Sequence, residues 1–351
     1  MVAAGQRRLP AAAGAAAGRH EKQGTTTVSF PMRRATLATT AAMTLVAALA
    51  ACGGGSDEGG GGGNGEELRG TIKIDGSSTV APLSTVASEL FKEEQARVQI
   101  PVGTSGTGGG FEKFCAGETD IQDASRAIED DEKKACQQKG IQYSEFQVAN
   151  DALTVVVHKD NTWAQCLTVE QLKKIWEPNS KVNNWSQVDP KFPNEPLKLF
   201  GAGTDSGTFD YFTDAINGEE GASRKDYSPS EDDNVTVQGV SGSKGGLGYF
   251  GFSYFEENAS KLKAVQINSG DGCVAPSVQT AQNGTYKPLS RPLFIYPSAA
   301  SLKRPEVLAF VEFYVTKNAD IAKRAKFVPL NPTQDGKLKQ ALATLKQQAG
   351  Q

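Results

Sequence analysis

Three short clusters of Gly, Ser and Thr stand before predicted helices, and their residue types suit the binding of an anion. They cover residues 76–79, 105–110 and 203–208. A helix N-terminus presents free backbone N–H groups and a partial positive charge, and small hydroxylated residues there add donors without blocking a ligand. Converging on one point, three such helix starts would bind a small tetrahedral anion. Each cluster alone is also compatible with an ordinary helix cap or turn.

The elements that would position these clusters alternate between strand and helix patterns. Predicted strands cover residues 71–75, 98–102, 153–157, 197–201 and 292–296. Predicted helices cover residues 83–91, 111–115, 131–138, 167–176, 209–216, 305–315 and 336–348. Such alternation predicts α/β lobes with mixed or parallel sheets. In these sheets ligands bind beyond the carboxyl ends of the strands, where helices begin, and all three clusters occupy that position.

The first 65 residues have the pattern of an export signal and a tether. Arg33 and Arg34 precede an apolar run over residues 35–51, which favours a signal peptide over residues 1–51 with Met32 as the true start. The run ends at Cys52, as in a bacterial lipoprotein signal, where the cysteine is acylated. A short transmembrane anchor is the alternative, although about 17 mostly Ala and Thr residues are few for a span. Residues 52–65 are rich in glycine and predict a flexible tether.

Length and charge limit the class of protein. The 351-residue chain carries 37 Lys and Arg against 40 Asp and Glu, a net charge of −3. Without residues 1–51, the balance becomes 31 against 39, a net charge of −8. This excess of acid argues against a nucleic-acid partner, whose phosphates attract basic surfaces. The roughly 285 residues from Glu66 onward suit two lobes better than one core.

Four cysteines follow Cys52, and an even number in an exported domain favours two disulfides. Three pairings are possible. We favour Cys115 with Cys136 and Cys166 with Cys273, because neither bond would tie one lobe to the other. The cysteines are too far apart for a zinc motif, so we predict no metal.

An exported hydrolase is the alternative from another functional class. Residues 204–207 resemble a serine nucleophile turn, but Ser206 directly precedes Gly207 and does not form Gly-x-Ser-x-Gly. A catalytic triad would require His158, which lies in a Val-rich predicted strand. We therefore predict that the protein is not an enzyme and uses no cofactor.

Five motifs, taken in order, resemble the substrate-binding protein of the phosphate-specific ABC transporter. They are Asp75–Pro82, Ser105–Phe111, Asp120–Arg126, Leu167–Trp176 and Gly203–Phe209. The resemblance covers about residues 70–345. It implies a two-lobed periplasmic-binding-protein fold of type II, in which each lobe is a mixed sheet flanked by helices and two hinge crossings join the lobes. Residues 66–150 and 292–351 would form the first lobe, and residues 151–291 the second.

The resemblance also implies the residues that bind phosphate in the cleft. They are Ser78, Thr79, Thr107, Ser125, Arg126, Ser206, Gly207 and Thr208. Well-known members of the family have an arginine at the position of Ala202, so the positive charge is expected from Arg126. Protonated phosphate donates a hydrogen bond that sulfate cannot, so a buried carboxylate would select phosphate. Asp123 and Asp205 are the candidate acceptors.

The resulting hypothesis is a monomeric, lipid-anchored receptor outside the cytoplasm. It would capture inorganic phosphate and deliver it to the membrane permease subunits of an ABC transporter. A phosphate sensor or scavenger that feeds no transporter is compatible with the same sequence.

Overall fold

The computed structural model describes residues 67–351. The predicted signal peptide, the alternative start at Met32, the acylated Cys52 and the tether over residues 52–65 lie outside this range. None of the described helices has both the length and the apolar character needed to cross a membrane.

Strands and helices alternate along the described chain. The strands are β1 (Gly70–Thr71), β2 (Ile74–Gly76), β3 (Val98–Gln99), β4 (Ile121–Ala124), β5 (Phe146–His158), β6 (Cys166–Thr168), β7 (Lys198–Ala202), β8 (Ser228–Ser230), β9 (Gly246–Gly251), β10 (Leu262–Ala264), β11 (Gln266–Asn268), β12 (Cys273–Val274) and β13 (Ser290–Pro297). The helices are α1 (Ala81–Glu94), α2 (Gly106–Cys115), α3 (Asp130–Gln138), α4 (Val169–Trp176), α5 (Trp185–Val188), α6 (Gly207–Asn217), α7 (Asp233–Ser241), α8 (Phe252–Asn258), α9 (Val278–Gln282), α10 (Pro305–Thr316), α11 (Asn318–Arg324) and α12 (Pro332–Ala349). A 3-10 turn covers Ser301–Lys303.

An eight-stranded mixed sheet forms the centre of the molecule. Its order is β2-β4-β13-β5-β9-β7-β8, and β10 pairs with β5. The outer pairs β2–β4, β7–β9 and β7–β8 are parallel, whereas β13 and β5 are antiparallel to their neighbours. Helices flank this sheet, and the mixed α/β class predicted from the sequence is confirmed.

Local sequence explains why the helices that frame the candidate site form. Pro82 lies in the first turn of α1, where its missing N–H costs nothing, and Leu83, Ala87 and Phe91 bury one face of the helix. The predicted strand over residues 98–102 is shorter in the structure, because Pro101 has no N–H to extend the ladder beyond β3.

The two largest hydrophobic cores draw on separate parts of the chain. The first core contains residues from 72–149 and 293–349, and the second core contains residues from 153–289. Strand β5 contributes residues to both cores, and Leu289 of the second core stands directly before β13, whose residues Leu293 and Ile295 belong to the first core. The lobe boundaries near residues 150 and 292 are compatible with these spans and stay a prediction.

Two disulfides are present in the described chain, with the pairing that the sequence favoured. Cys115 is bonded to Cys136, with 4.3 Å between their Cα atoms, and ties α2 to α3. Cys166 is bonded to Cys273, with 6.0 Å between their Cα atoms, and ties β6 to β12. Each bond therefore joins elements on one side of the β5–β13 crossing.

Candidate functional site

A small polar cavity of about 50 Å³ lies where the ends of β2 and β4 meet α2, α6 and β13. We call it the small cavity. It is lined by Ser77, Ser78, Thr79, Gly106, Thr107, Ser125, Asp210, Tyr211, Asp214, Glu220 and Arg291. Four of the residues that the resemblance assigned to phosphate are in this set, namely Ser78, Thr79, Thr107 and Ser125.

Hydroxyl groups from the second motif, Ser105–Phe111, and the third motif, Asp120–Arg126, lie within hydrogen-bond distance of each other. The Oγ1 atom of Thr107 and the Oγ atom of Ser125 are 3.1 Å apart, and the Ser125 N–H donates to Thr107 Oγ1 at 3.2 Å. Gln122 also holds the start of α2, because its Nε2 atom donates a hydrogen bond to the Thr107 carbonyl at 2.9 Å. The start of α2 is thereby fixed against the end of β4.

Asp75 holds the first two clusters together. Its Oδ1 atom accepts hydrogen bonds from the Gly76 N–H at 2.7 Å, the Ser105 N–H at 2.9 Å and the Ser105 hydroxyl at 2.7 Å. Lys113 pairs with the other carboxylate oxygen. Partial desolvation opposes ionisation, but the bonds from Lys113 and Ser105 outweigh it and lower the pKa of Asp75 to about 2.

The helix starts at the small cavity differ from that of α6 in their capping. Within residues 67–351, no side chain caps the N-terminus of α1 or α2. In α1 these N–H groups already have backbone acceptors, because Ala81 donates to the Ser77 carbonyl at 3.0 Å, Leu83 donates to the Val80 carbonyl at 2.9 Å, and Pro82 has no N–H. In α2, the first backbone N–H groups have no acceptor within the described residues and need another one. In α6, by contrast, the Ser206 hydroxyl accepts a hydrogen bond from the Thr208 N–H at 3.2 Å. The third cluster thus caps its own helix.

The third cluster touches the first without lining the small cavity. Thr79 Oγ1 donates to the Gly207 carbonyl at 3.4 Å, and a Cβ atom on Gly207 would approach Thr79 Oγ1 to 2.8 Å. Ser206 and Thr208 line a different groove, together with residues of α1 and α11. The part of α6 that reaches the small cavity is its next turn, with Asp210, Tyr211 and Asp214.

Arg126 lies beside a larger cavity of about 760 Å³, which we call the outer cavity. This cavity shares Thr107, Ser125 and Arg291 with the small one. The guanidinium of Arg126 makes two bonds of 2.8 Å to the Glu132 carboxylate, and its Nε atom is 3.2 Å from Glu129. The hydrogen bonds to Glu132 raise the pKa of Arg126 above its ordinary value.

Arg291 is the arginine that lines the small cavity, and sequence reasoning missed it. Its Nη2 atom donates to Thr79 Oγ1 at 3.0 Å, and its Nε atom is 3.3 Å from Asp151 Oδ2. The guanidinium also stacks 3.6 Å from the centre of the Tyr211 ring. The residue stands at the start of β13, beside Asp151 of β5 in the strand register. The available signal was a charged residue at the predicted hinge crossing.

The carboxylates at the small cavity are not the two that the sequence suggested. Asp123 is fully buried, and its Oδ1 atom accepts from the Ser84 hydroxyl at 2.8 Å. Desolvation raises the pKa of Asp123 to about 8. Asp205 is exposed, and neither residue lines the cavity.

Asp210 is the carboxylate in contact with the first cluster. Its Oδ2 atom accepts from the Ser78 hydroxyl at 3.3 Å, and desolvation raises its pKa. Asp214 and Glu220 also line the small cavity. The signal for Asp210 was its position two residues after the Ser-Gly-Thr of the third cluster.

Comparisons with known proteins agree on one family. A family model described as the PBP superfamily domain matches residues 62–318. Protein SphX of Synechococcus elongatus is 49% identical over 265 residues, which cover 75% of this chain and 78% of that protein. A protein named phosphate-binding protein PstS of Staphylococcus saprophyticus is 41% identical over 263 residues, covering 74% of this chain and 81% of that protein.

A solved structure gives the same indication. The crystal structure of a possible phosphate binding protein from Planctomyces limnophilus is 50% identical and has a TM-score of 0.76. It covers 79% of this chain and 99% of the other.

Proposed function

The chain belongs to the phosphate-binding substrate-binding proteins of the PBP superfamily, and from this premise we propose that it captures inorganic phosphate in the small cavity and hands it to an ABC-type permease. The family consists of binding proteins and not of enzymes. The proposal therefore concerns recognition and release of an anion, without a chemical step.

The observation that carries the proposal is the convergence on one cavity of hydroxyl donors from three segments and of the uncapped start of α2. Ser78 and Thr79 come from the turn before α1, Thr107 from the start of α2, and Ser125 from the end of β4. Because the first N–H groups of α2 have no acceptor within residues 67–351, an oxyanion would satisfy them. A tetrahedral anion with four oxygens suits donors that arrive from several directions.

The discrimination between phosphate and sulfate is assigned to Asp210. Phosphate keeps a proton at neutral pH, and the carboxylate of Asp210 would accept a hydrogen bond from it. Sulfate has no such proton, and its oxygens would face the carboxylate with unfavourable electrostatics. The position of Asp210 beside Ser78 supports this role better than the positions of Asp123 and Asp205 support theirs.

Acylation at Cys52 and the tether over residues 52–65 would hold the protein at a membrane outside the cytoplasm, within reach of the permease. This part of the proposal rests on the sequence pattern and on the family. Deleting the gene and measuring phosphate uptake tests delivery directly. Unchanged uptake with altered starvation signalling would favour a sensor instead.

Calorimetric titration of the purified protein with phosphate and with sulfate tests the binding proposal. We expect a phosphate dissociation constant near or below the micromolar range, which corresponds to about −8 kcal/mol or better, and much weaker sulfate binding. An absence of phosphate binding, or a preference for sulfate, would end the proposal.

A further inference from the structure

The two arginines near the candidate site differ in how much of each guanidinium is already used. All three guanidinium nitrogens of Arg126 already contact neighbouring groups. Its Nη1 and Nη2 atoms bond Glu132, Nη1 also donates to the Ala127 carbonyl, and Nε pairs with Glu129. Two carboxylates thus already balance the single positive charge of Arg126.

Arg291 has donor capacity left. Its Nε atom faces Asp151 and its Nη2 atom bonds Thr79, but within residues 67–351 its Nη1 atom has no acceptor. An arginine carries five N–H donors, so this leaves hydrogens available to a ligand. The Arg291 side chain is 18% exposed, and the residue lines both the small and the outer cavity.

The surroundings of Arg291 fix its guanidinium at the cavity wall. The Tyr211 ring lies 3.6 Å from it on one side, and the Tyr211 hydroxyl donates to the Pro288 carbonyl at 2.7 Å. Asp151 is buried and its carboxylate pairs with Arg291 Nε, so breaking the pair would leave an unpartnered buried charge, and this holds the guanidinium in place. A fork held this way loses little entropy when it binds an oxyanion.

We propose that Arg291, and not Arg126, supplies the positive charge that phosphate contacts in the small cavity. This assignment rests on the proposed function. The fork of Arg291 would make charge-assisted hydrogen bonds to the oxygens that the hydroxyls of Thr79 and Thr107 leave open. The cation therefore comes from β13, beside Asp151 of β5, while the hydroxyl donors come from the turn before α1, the start of α2 and the end of β4.

Calorimetric titration of phosphate into four variants tests the assignment. Arg291→Ala should weaken binding about 100-fold, because a hydrogen-bonded charge is lost. Arg291→Lys keeps the charge but not the fork, and should weaken binding about 10-fold. Arg126→Ala should change affinity less than about 3-fold. Arg304→Ala removes an arginine paired with Asp120 and should have no effect.

Asp151→Asn separates direct contact from a purely structural role. If Arg291 only stabilised Asp151, this variant would weaken phosphate binding as much as Arg291→Ala. Direct contact predicts a change below about 5-fold, since Arg291 keeps its bond to Thr79. Circular dichroism and unfolding curves show which variants are folded, and Arg291→Lys replaces the alanine variant if that one is not.

The outcomes are distinguishable. An unmodified protein that binds no phosphate overturns the proposed function and this assignment together. An unmodified protein that binds phosphate, with a larger loss in Arg126→Ala than in the Arg291 variants, overturns the assignment alone.

Discussion

The first and third Gly/Ser/Thr clusters are alike in sequence but differ in what their hydroxyl groups do. Ser78 and Thr79 line the small cavity, where α1 starts without a side-chain cap in the described chain. Ser206 instead caps α6, and Thr208 lines a groove that shares Ser78 with the small cavity but does not include Thr79, Thr107 or Arg291. Composition therefore predicts that a helix begins at each cluster. Whether its hydroxyls face the cavity or cap the helix depends on the groups that surround each one in the fold.

The largest expected difference concerns the glycines that open the first and third clusters, Gly76 and Gly203. Gly76 has a φ angle of 140°, and a Cβ atom there would lie 2.1 Å from the Asp123 carbonyl oxygen. Gly76→Ala should lower the free energy of unfolding by about 3 kcal/mol, from backbone strain and overpacking, and abolish phosphate binding.

The matched variant is Gly203→Ala. The nearest atom to its Cβ would be Oε1 of the Glu231 side chain, which can move away. Gly203→Ala should lower the free energy of unfolding, measured in urea, by less than about 1 kcal/mol. Equal losses in the two variants would show that the backbone of the first cluster is no more constrained than that of the third.

The next difference concerns two aspartates, Asp205 within the third cluster and Asp210 two residues beyond it. Asp210→Asn should reduce the preference for phosphate over sulfate about 30-fold, because an amide can donate to sulfate where a carboxylate cannot. Asp205→Asn, at an exposed position, should leave the preference unchanged. Competition titrations with both anions give the ratio. A larger change in the Asp205 variant would show that the carboxylate that accepts the phosphate proton is Asp205, within the third cluster.

A smaller effect is expected from removing one hydroxyl at the cavity. Thr107→Val keeps the shape of the side chain but loses a donor, and should weaken phosphate binding about 10-fold. Thr208→Val should weaken it less than 2-fold, since Thr208 lines a different groove. If Thr208→Val were the more damaging change, the third cluster would be the one in contact with phosphate.

The smallest effect is expected at the cap of α6. Ser206→Ala should lower the free energy of unfolding by about 1 kcal/mol through loss of the bond to the Thr208 N–H, with phosphate affinity unchanged. Thermal unfolding and titration of the same preparation separate the two readouts. A fall in affinity without a fall in stability would support the role that the family resemblance gave to Ser206.

Local patterns were enough to predict much of the fold. The alternation of strands and helices follows from apolar spacing. The cysteine count predicted two disulfides but allowed three pairings, and the observed pairing is the one favoured because neither bond would tie one lobe to the other. The strand predicted over residues 153–157 is part of the longer β5, Phe146–His158. Its polar residues Asn150 and Asp151 hid the first half of the strand. They are buried because Gln334 and Arg291 bond them from far along the chain.

Contacts between residues far apart in the chain also explain why the role of Arg291 at the site was missed. Hydroxyl residues next to helix starts could be found from the sequence, because capping and anion binding are local. For Arg291 the sequence offered only a charge at the predicted hinge crossing, because its partners Asp151 and Thr79 are distant in sequence. Glu132 lies only six residues after Arg126, yet the sequence did not show that it would occupy the guanidinium.

A crystal structure of the protein with phosphate bound tests the central claim most directly. The account predicts the anion in the small cavity, within hydrogen-bond distance of the hydroxyls of Thr79, Thr107 and Ser125 and of the Arg291 guanidinium. Phosphate held instead at the start of α6 by Ser206 and Thr208, with Arg291 still turned to Asp151 and out of contact, would contradict it.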